Sequence, residues 1–293
     1  MVLFILLIAG LSWAEQVSHR VTKGKQTWRL EASWLQDLEL QQISYALSAS
    51  AVEADLQIPT RYTAGQLAKE VAAEVNAWAR TVNSEEASIT ARGSGNGRLR
   101  LKAKGLDEAL VGQLLHRARQ EEQRAEQAIL SAKGYRKYSN GIAPDYSSLV
   151  GLYASELASL HAALAQPNLR AHTERTLGFV QSIPYESRRS ISFRRPLALL
   201  AANAGDCDSK AVLFLALLRR AYANLPLTIV DIPEHVFVGV GISPQPGEQA
   251  IEVEGTTYVL MEPVGPGMTP IGELSSRSMQ ALQGGQAKVI EVN

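Results

Sequence analysis

The chain has one cysteine in 293 residues, so no internal disulfide can form. Cys207 must be an inert buried residue, an intermolecular link or a reactive thiol. An exported chain gains little from an exposed thiol that oxidises readily, and a redox couple would need a resolving cysteine that is not there. Net charge is also lacking: 29 Lys and Arg balance 29 Asp and Glu, leaving no overall field to recruit nucleic acid or an anionic membrane. Aromatics make up only 6% of the chain, too few for a base-stacking surface. No repeat of fixed period appears, which excludes a solenoid. His19, His116, His161 and His172 read as helical or N-terminal surface residues without metal-ligand spacing. No cofactor motif stands out, because Gly93-Ser94-Gly95-Asn96-Gly97 leads into a strand pattern and not the helix a phosphate cradle needs. No metal and no cofactor are therefore expected, and a protein or peptide remains as partner, the cell envelope being one source.

Hydrophobic residues reach 46%, enough for one large core or two ordinary ones. Met1 to Ala14 is an apolar run too short to span a bilayer but suited to a secretory signal or a short anchor. Ser12 and Ala14 have the spacing a signal peptidase prefers, with cleavage before Glu15. No Lys or Arg precedes the run, so retention as an anchor is the alternative. The expected location is periplasmic or secreted.

Residues 15–134 read as a small N-terminal α/β-sandwich-like domain with a β-α-β-β-α pattern. Trp28, Leu30, Ala32 and Trp34 alternate with polar neighbours, and Ile43, Tyr45 and Leu47 keep step within a second strand over residues 41–58. Thr63 caps a helix to Val82 with Leu67, Val71, Val75 and Trp78 on one stripe. A hairpin then turns at Gly93–Gly97, and a helix runs from about Leu106 to Lys133. Residues 134–145 break periodicity as a linker. From 145 to 293 helices come first, over 146–164, 168–183, 196–202 and 207–222. Strands follow at 227–232, 235–242, 250–253, 258–261 and 289–292. Helices followed by an antiparallel sheet make an α+β arrangement.

Gly205-Asp206-Cys207 opens the 207–222 helix, so the thiol stands among unpaired N–H groups at a positive helix end, which favours thiolate. Cys207, Ala211, Phe214 and Leu218 share a face that aims the sulfur at the protein body. By itself this helix equally permits Cys207 to be a small hydrophobe. His235 then opens an apolar strand, and Glu262 ends another. Nucleophile, base and orienting acid occur in that order, with Glu262 preferred to Glu252 and Glu254, which alternate with Val253 on the preceding strand. Asp208 reads as structural, a cap or a partner for Lys210 or an arginine. Gln181 reads as helix surface before an oxyanion-hole donor, and the Cys207 N–H is the safer donor. Arg188, Arg189, Arg194 and Arg195 form a basic cluster, most simply solvated, with an acidic substrate as the other use.

The blocks Phe179-Val180-Gln181-Ser182-Ile183-Pro184-Tyr185, Gly205-Asp206-Cys207-Asp208-Ser209-Lys210-Ala211, His235-Val236 and Tyr258-Val259-Leu260-Met261-Glu262 together resemble the transglutaminase-like superfamily, most of all its bacterial cysteine-peptidase-like members. The likeness covers residues 145–270 and leaves the N-terminal half unmatched. It implies a papain-like α+β core, a Cys207-His235-acid triad and acyl transfer through a thioester, as in a thiol protease or other hydrolase. The family's acid is usually aspartate, whereas this chain offers Glu262. Hydrolysis is the expected outcome, with transglutaminase cross-linking or a catalytically silent interaction module as the alternatives.

Overall fold

The structure, a computed structural model, describes residues 16–138, 141–153, 155–186, 193–265 and 267–292. The leader with its cleavage point before Glu15, and Arg188 and Arg189 of the basic cluster, lie outside the described residues. In chain order the elements are β1 Gln16–Lys23, β2 Thr27–Gln36, β3 Glu39–Ser48, α1 Ala49–Gln57, α2 Ala64–Val82, β4 Ala87–Gly93, β5 Leu99–Gly105, α3 Glu108–Ala132, β6 Tyr135–Tyr138 and β7 Gly141–Pro144. After these come α4 Tyr146–Tyr153, α5 Ala158–Leu164, α6 Leu169–Ser182, α7 Pro196–Ala202, α8 Cys207–Ala221, β8 Leu227–Ile232, β9 His235–Val240, β10 Ala250–Val253, β11 Thr256–Met261, α9 Ser276–Gln283 and β12 Lys288–Val292. Helices packed on antiparallel sheets make the fold α+β.

The chain divides into two compact units, but not at the expected boundary. Residues 59–145 form one unit, and everything before it joins everything after it in the other. The split predicted at 134–145, with residues 15–134 as a domain of their own, is corrected by the company that β2 and β3 keep. Trp28, Leu30, Trp34, Ile43, Tyr45 and Leu47 share one core with Leu149, Leu160, Phe179 and Phe214. Trp34 meets Phe179 edge-on at 5.5 Å between ring centroids. Ala46 N–H donates to Ser159 Oγ at 3.0 Å, and Gln36 Nε2 donates to the Glu174 carbonyl at 3.3 Å. Alternation shows that one face of a strand is buried without saying against what.

Two further expectations change. Residues 49–57 are helical, not strand: Ser48 caps α1 by accepting from Ala51 N–H, as serine commonly does at a helix start. Residues 134–145 hold the β6–β7 hairpin and are not a bare linker.

In the larger unit, β1–β2–β3 form an antiparallel sheet, and a five-stranded antiparallel sheet runs β10-β11-β9-β8-β12. Helix α8 is the central post. From Ala211 to Leu218 every residue is fully buried, as befits a helix that is apolar all round and covered on all sides. It packs against α4, α6 and β9, so its first residue is held at the sheet. The Asp55 carboxylate, buried on α1, accepts from Tyr153 OH and from Leu197 N–H and lies 3.7 Å from Arg195. Arg195 is thus a buried partner of Asp55 and not solvated surface.

Residues 59–145 form a helix-and-hairpin unit. A complete capping box at Thr63 and Gln66 starts α2, and Asp107 caps α3. Both helices pack on one face of the β4–β5 hairpin.

Candidate active site

Asp206, not Asp208, caps α8: its carboxylate accepts from Ser209 N–H at 3.0 Å and also from the Ser209 hydroxyl. Cys207 is the first helical residue. The loop before it is pinned to residues 184–186, with Gly205 N–H donating to the Pro184 carbonyl at 3.3 Å and Glu186 N–H to the Gly205 carbonyl at 3.1 Å. A side chain at Gly205 would put its Cβ 2.6 Å from the Leu199 side chain, which would have to shift to admit it. Arg194 locks the same segment with a two-pronged pair to Glu186 at 2.6 and 3.0 Å, while its N–H donates to Ser209 Oγ. The sequence had marked Arg194 only as part of a surface cluster.

The sulfur does face the sheet. The backbone N–H of Val236, next to His235, acts on it in the direction of thiolate, as does that of Asp208. These effects lose. Burial, then the carboxylates of Asp208 and Asp206, push the Cys207 thiol up to about 12. Asp208 Oδ1 lies 3.8 Å from the sulfur. The thiolate expected from the helix end is therefore overturned in the resting site, because two acids and a dry surround outweigh a partial positive charge. Asp208 itself is raised to about 7 by burial, with Asp206 and Asp231 adding to the shift and Cys207 and Tyr146 opposing it. It neither caps the helix nor pairs with Lys210.

His235 closes the β8–β9 hairpin opposite Ile232. Its two-residue turn is Pro233-Glu234, with Glu234 at φ 59°, and Arg277 of α9 clamps the turn by donating to Pro233 O at 2.8 Å and to Glu234 at 3.1 Å. Glu262 follows β11 directly, is buried, and stands 3.7 Å from His235 Nε2. That is an ion-pair distance, longer than a formed hydrogen bond. Burial pushes the Glu262 carboxyl up, but His235 and the hydroxyls of Ser278 and Ser275 more than offset it, so the net shift is down. Ser275 N–H and Oγ reach Glu262 Oε1 at 3.2 and 3.0 Å, and Ser278 Oγ joins them. Glu252 and Glu254 lie exposed on and beyond β10. The structure thus brings His235 and Glu262 together and leaves the two competing acids out.

Gln181 is buried, contrary to the surface reading. Its Nε2 donates to the carbonyls of Glu262 and Thr269, both at 2.8 Å, which fixes the backbone under the acid and leaves that amide no proton for a substrate. Its own carbonyl takes Lys210 Nζ at 3.3 Å. Gly265 lies against the same carbonyl, where a Cβ would come within 2.5 Å. Tyr185 stands at the cysteine with 46% of its surface exposed. Burial and then the nearby Cys207 push its hydroxyl up. None of Tyr185, Ser275, Ser278 or Arg277 was singled out from sequence. Only the Ser-x-x-Ser spacing at 275–278 could have pointed to α9 and its cap.

Lys210 is fully buried, and burial brings its ammonium down to about 7. The unfolded chain keeps that proton to about pH 10.4, so between these values the unfolded state binds more protons and stability rises with pH. In urea titrations at about pH 7.5 and about pH 9.5, wild type will gain on the order of 2 kcal/mol relative to Lys210→Met. An unchanged difference between the two proteins would show that Lys210 is solvated.

The other histidines differ from the sequence reading at one point. His172 is buried, edge-on to His161 at 5.1 Å and to Tyr222 at 5.8 Å. Burial lowers both histidines. Among the described residues no cluster of three or more His, Cys, Asp or Glu is placed to hold a metal, and no helix is long and apolar enough to cross a membrane. No family model, no curated protein and no solved structure matches the chain.

Proposed function

We propose that this is an exported thiol enzyme, periplasmic or secreted, that transfers acyl groups from peptide or side-chain amides. The observation that carries the reading is the convergence of a histidine paired with a buried, downshifted Glu262 and a cysteine sulfur held at the strand that begins with that histidine. Cys207 Sγ attacks the amide carbonyl while His235 takes its proton. The tetrahedral intermediate collapses with cleavage of the C–N bond, and the imidazolium gives the proton to the departing amine. Water then attacks the thioester, His235 takes its proton, and the carboxylic acid and free thiol are released. Glu262, 3.7 Å from Nε2, orients the imidazole. The Cys207 N–H, which no hydrogen bond among the described residues occupies, is a donor for the oxyanion. Because the resting sulfur is a thiol, deprotonation belongs to the attack itself and not to the free protein. Hydrolysis is favoured over cross-linking, since water is the default acceptor where no amine site excludes it.

One observation favours a second reading. The thiol is pushed up to about 12, the opposite of what an activated nucleophile needs, and this suits a silent interaction module that keeps the fold. Covalent capture separates the two. A mixture of glutamine-bearing peptides and cell-wall stem peptides is incubated with hydroxylamine, which intercepts a thioester as a hydroxamate detectable by mass spectrometry. The enzyme reading expects hydroxamates with wild type and none with Cys207→Ala or His235→Ala. Identical products, or none from any protein, would sink it.

A further inference from the structure

The β4–β5 hairpin, within residues 59–145, has one face the fold uses and one it does not. Ala87, Ile89 and Ala91 with Leu101 and Ala103 pack on the helices. The opposite face exposes Arg92, Arg100, Lys102 and Lys104, with Arg98 at the turn. Arg92 lies directly across from Arg100 in the ladder, a pairing of like charges that costs stability. No carboxylate occurs in the sequence between Glu86 and Asp107, and among the described residues no ion pair reaches any of these five cations. Thr90, Arg92, Arg100 and Lys102 line a groove of ≈ 690 Å³ together with Ala91, Leu101 and, from the β4 edge, Asn76.

The two edges of the hairpin are treated differently. On β4, α2 supplies two side-chain amides as surrogate strand partners. Asn76 accepts from Ala91 N–H and donates to Ala91 O, both at 2.8 Å, and Asn83 does the same for Ile89 at 2.8 and 3.1 Å. Since Ile89 and Ala91 point their backbone groups away from β5, antiparallel alternation turns those of Ala103 and Leu101 outward on the other side. Among the described residues no hydrogen bond meets them. A strand edge with unpaired N–H and C=O groups is a template for another strand.

We propose that β5 is the docking edge for an extended acidic segment of a partner protein, which pairs with the backbone of Leu101 and Ala103 and sets carboxylates at alternate positions against Arg100, Lys102 and Lys104. Alternate residues of an extended strand repeat every ~6.6 Å, so the carboxylates of such a segment share the period of the three cations. Single-stranded nucleic acid fits less well, because the basic face offers no aromatic ring for base stacking. An anionic lipid surface would meet the charges but leave the strand edge unpaired. The proposal is independent of the chemistry at Cys207.

The test uses the full chain and a fluorescein-labelled octapeptide of alternating glutamate and threonine. Comparison probes are its block isomer of four glutamates followed by four threonines, phosphatidylglycerol vesicles and oligo-dT. The alternating peptide is expected to bind at least about tenfold more tightly than the block isomer and to weaken at least about tenfold in Arg100→Glu/Lys102→Glu. Both binding and its loss should fade as salt rises. Bound peptide should also slow hydrogen exchange at Leu101 and Ala103 in wild type, a readout that does not depend on the variant folding. Equal binding of the isomers, tighter binding to vesicles or oligo-dT, no binding, or unchanged exchange at those two amides would overturn it.

Discussion

At neutral pH, iodoacetamide will alkylate Cys207 about a hundredfold more slowly than it alkylates free cysteine. The expectation follows from the environment of the sulfur. Burial and the carboxylates of Asp208 and Asp206 push its thiol up to about 12, against ~8.5 for an unperturbed cysteine. The thiolate fraction falls by roughly three and a half powers of ten. A more basic thiolate is a better nucleophile, with a Brønsted slope of about 0.4–0.5, and this returns about one and a half of them. Asp208→Asn removes a carboxylate 3.8 Å from the sulfur and should accelerate alkylation at least about tenfold at about pH 9, where wild-type Asp208 is charged. The sign depends on pH in a definite way. Asp208 titrates near 7, so the variant's advantage should be large above that value and should shrink below it, where wild-type Asp208 is already neutral. Rates followed across that range, with glutathione as the reference thiol, check both statements. A wild-type sulfur faster than glutathione at neutral pH would mean that the helix end and the N–H groups of Val236 and Asp208 prevail after all. Slow alkylation together with hydroxamate formation would mean that His235 takes the proton only in the presence of substrate.

The order of chemistry along the chain was legible because each element announces itself locally. The apolar run behind Cys207 reads as a helix, and α8 is one. The strand that begins at His235 and the one that ends before Glu262 alternate or run apolar between turn residues, and they are neighbours in the sheet. Quantities set by tertiary surroundings were not legible. The thiol's first-turn position is a sequence feature, whereas the dry packing that reverses its effect is assembled from α8, β9 and the flanking acids. Lys210 reads as an ordinary helix lysine, and only the fold buries it against the Gln181 carbonyl. Gln181 fails for the same reason, since nothing local says that its helix is covered on that side. The acid's support was missed because α9 is short and polar: Ser275 and Ser278 become meaningful only once Glu262 stands between them and His235. Similarly, Ser48 carried a capping signal, but the Ile43, Tyr45 and Leu47 alternation carried the strand reading past it.

Trp34→Ala should destabilise the cysteine-bearing unit by about 3–5 kcal/mol, the range for deleting a fully buried aromatic side chain. Trp34 is completely buried, lies edge-on to Phe179 of α6, and donates its indole N–H to Gln36 at 3.3 Å. Phe179 belongs to the same core as the residues of α8 that carry Cys207 into place. Set against a typical domain stability of roughly 5–15 kcal/mol, such a loss leaves a measurable unfolded fraction in mild urea. In the unfolded chain the thiol returns toward its ordinary value, so alkylation of Cys207 reports the unfolding directly. Trp34→Ala should therefore show a Cys207 alkylation burst at lower urea than wild type, although residues 34 and 207 are far apart in sequence. Trp78→Ala, a change at a partly buried side chain packed against the cores of the 59–145 unit, should leave the Cys207 transition where it is. An N-terminal domain spanning residues 15–134 would hold both tryptophans apart from Cys207, so a Cys207 transition that neither substitution moves would return β1–β3 to that domain.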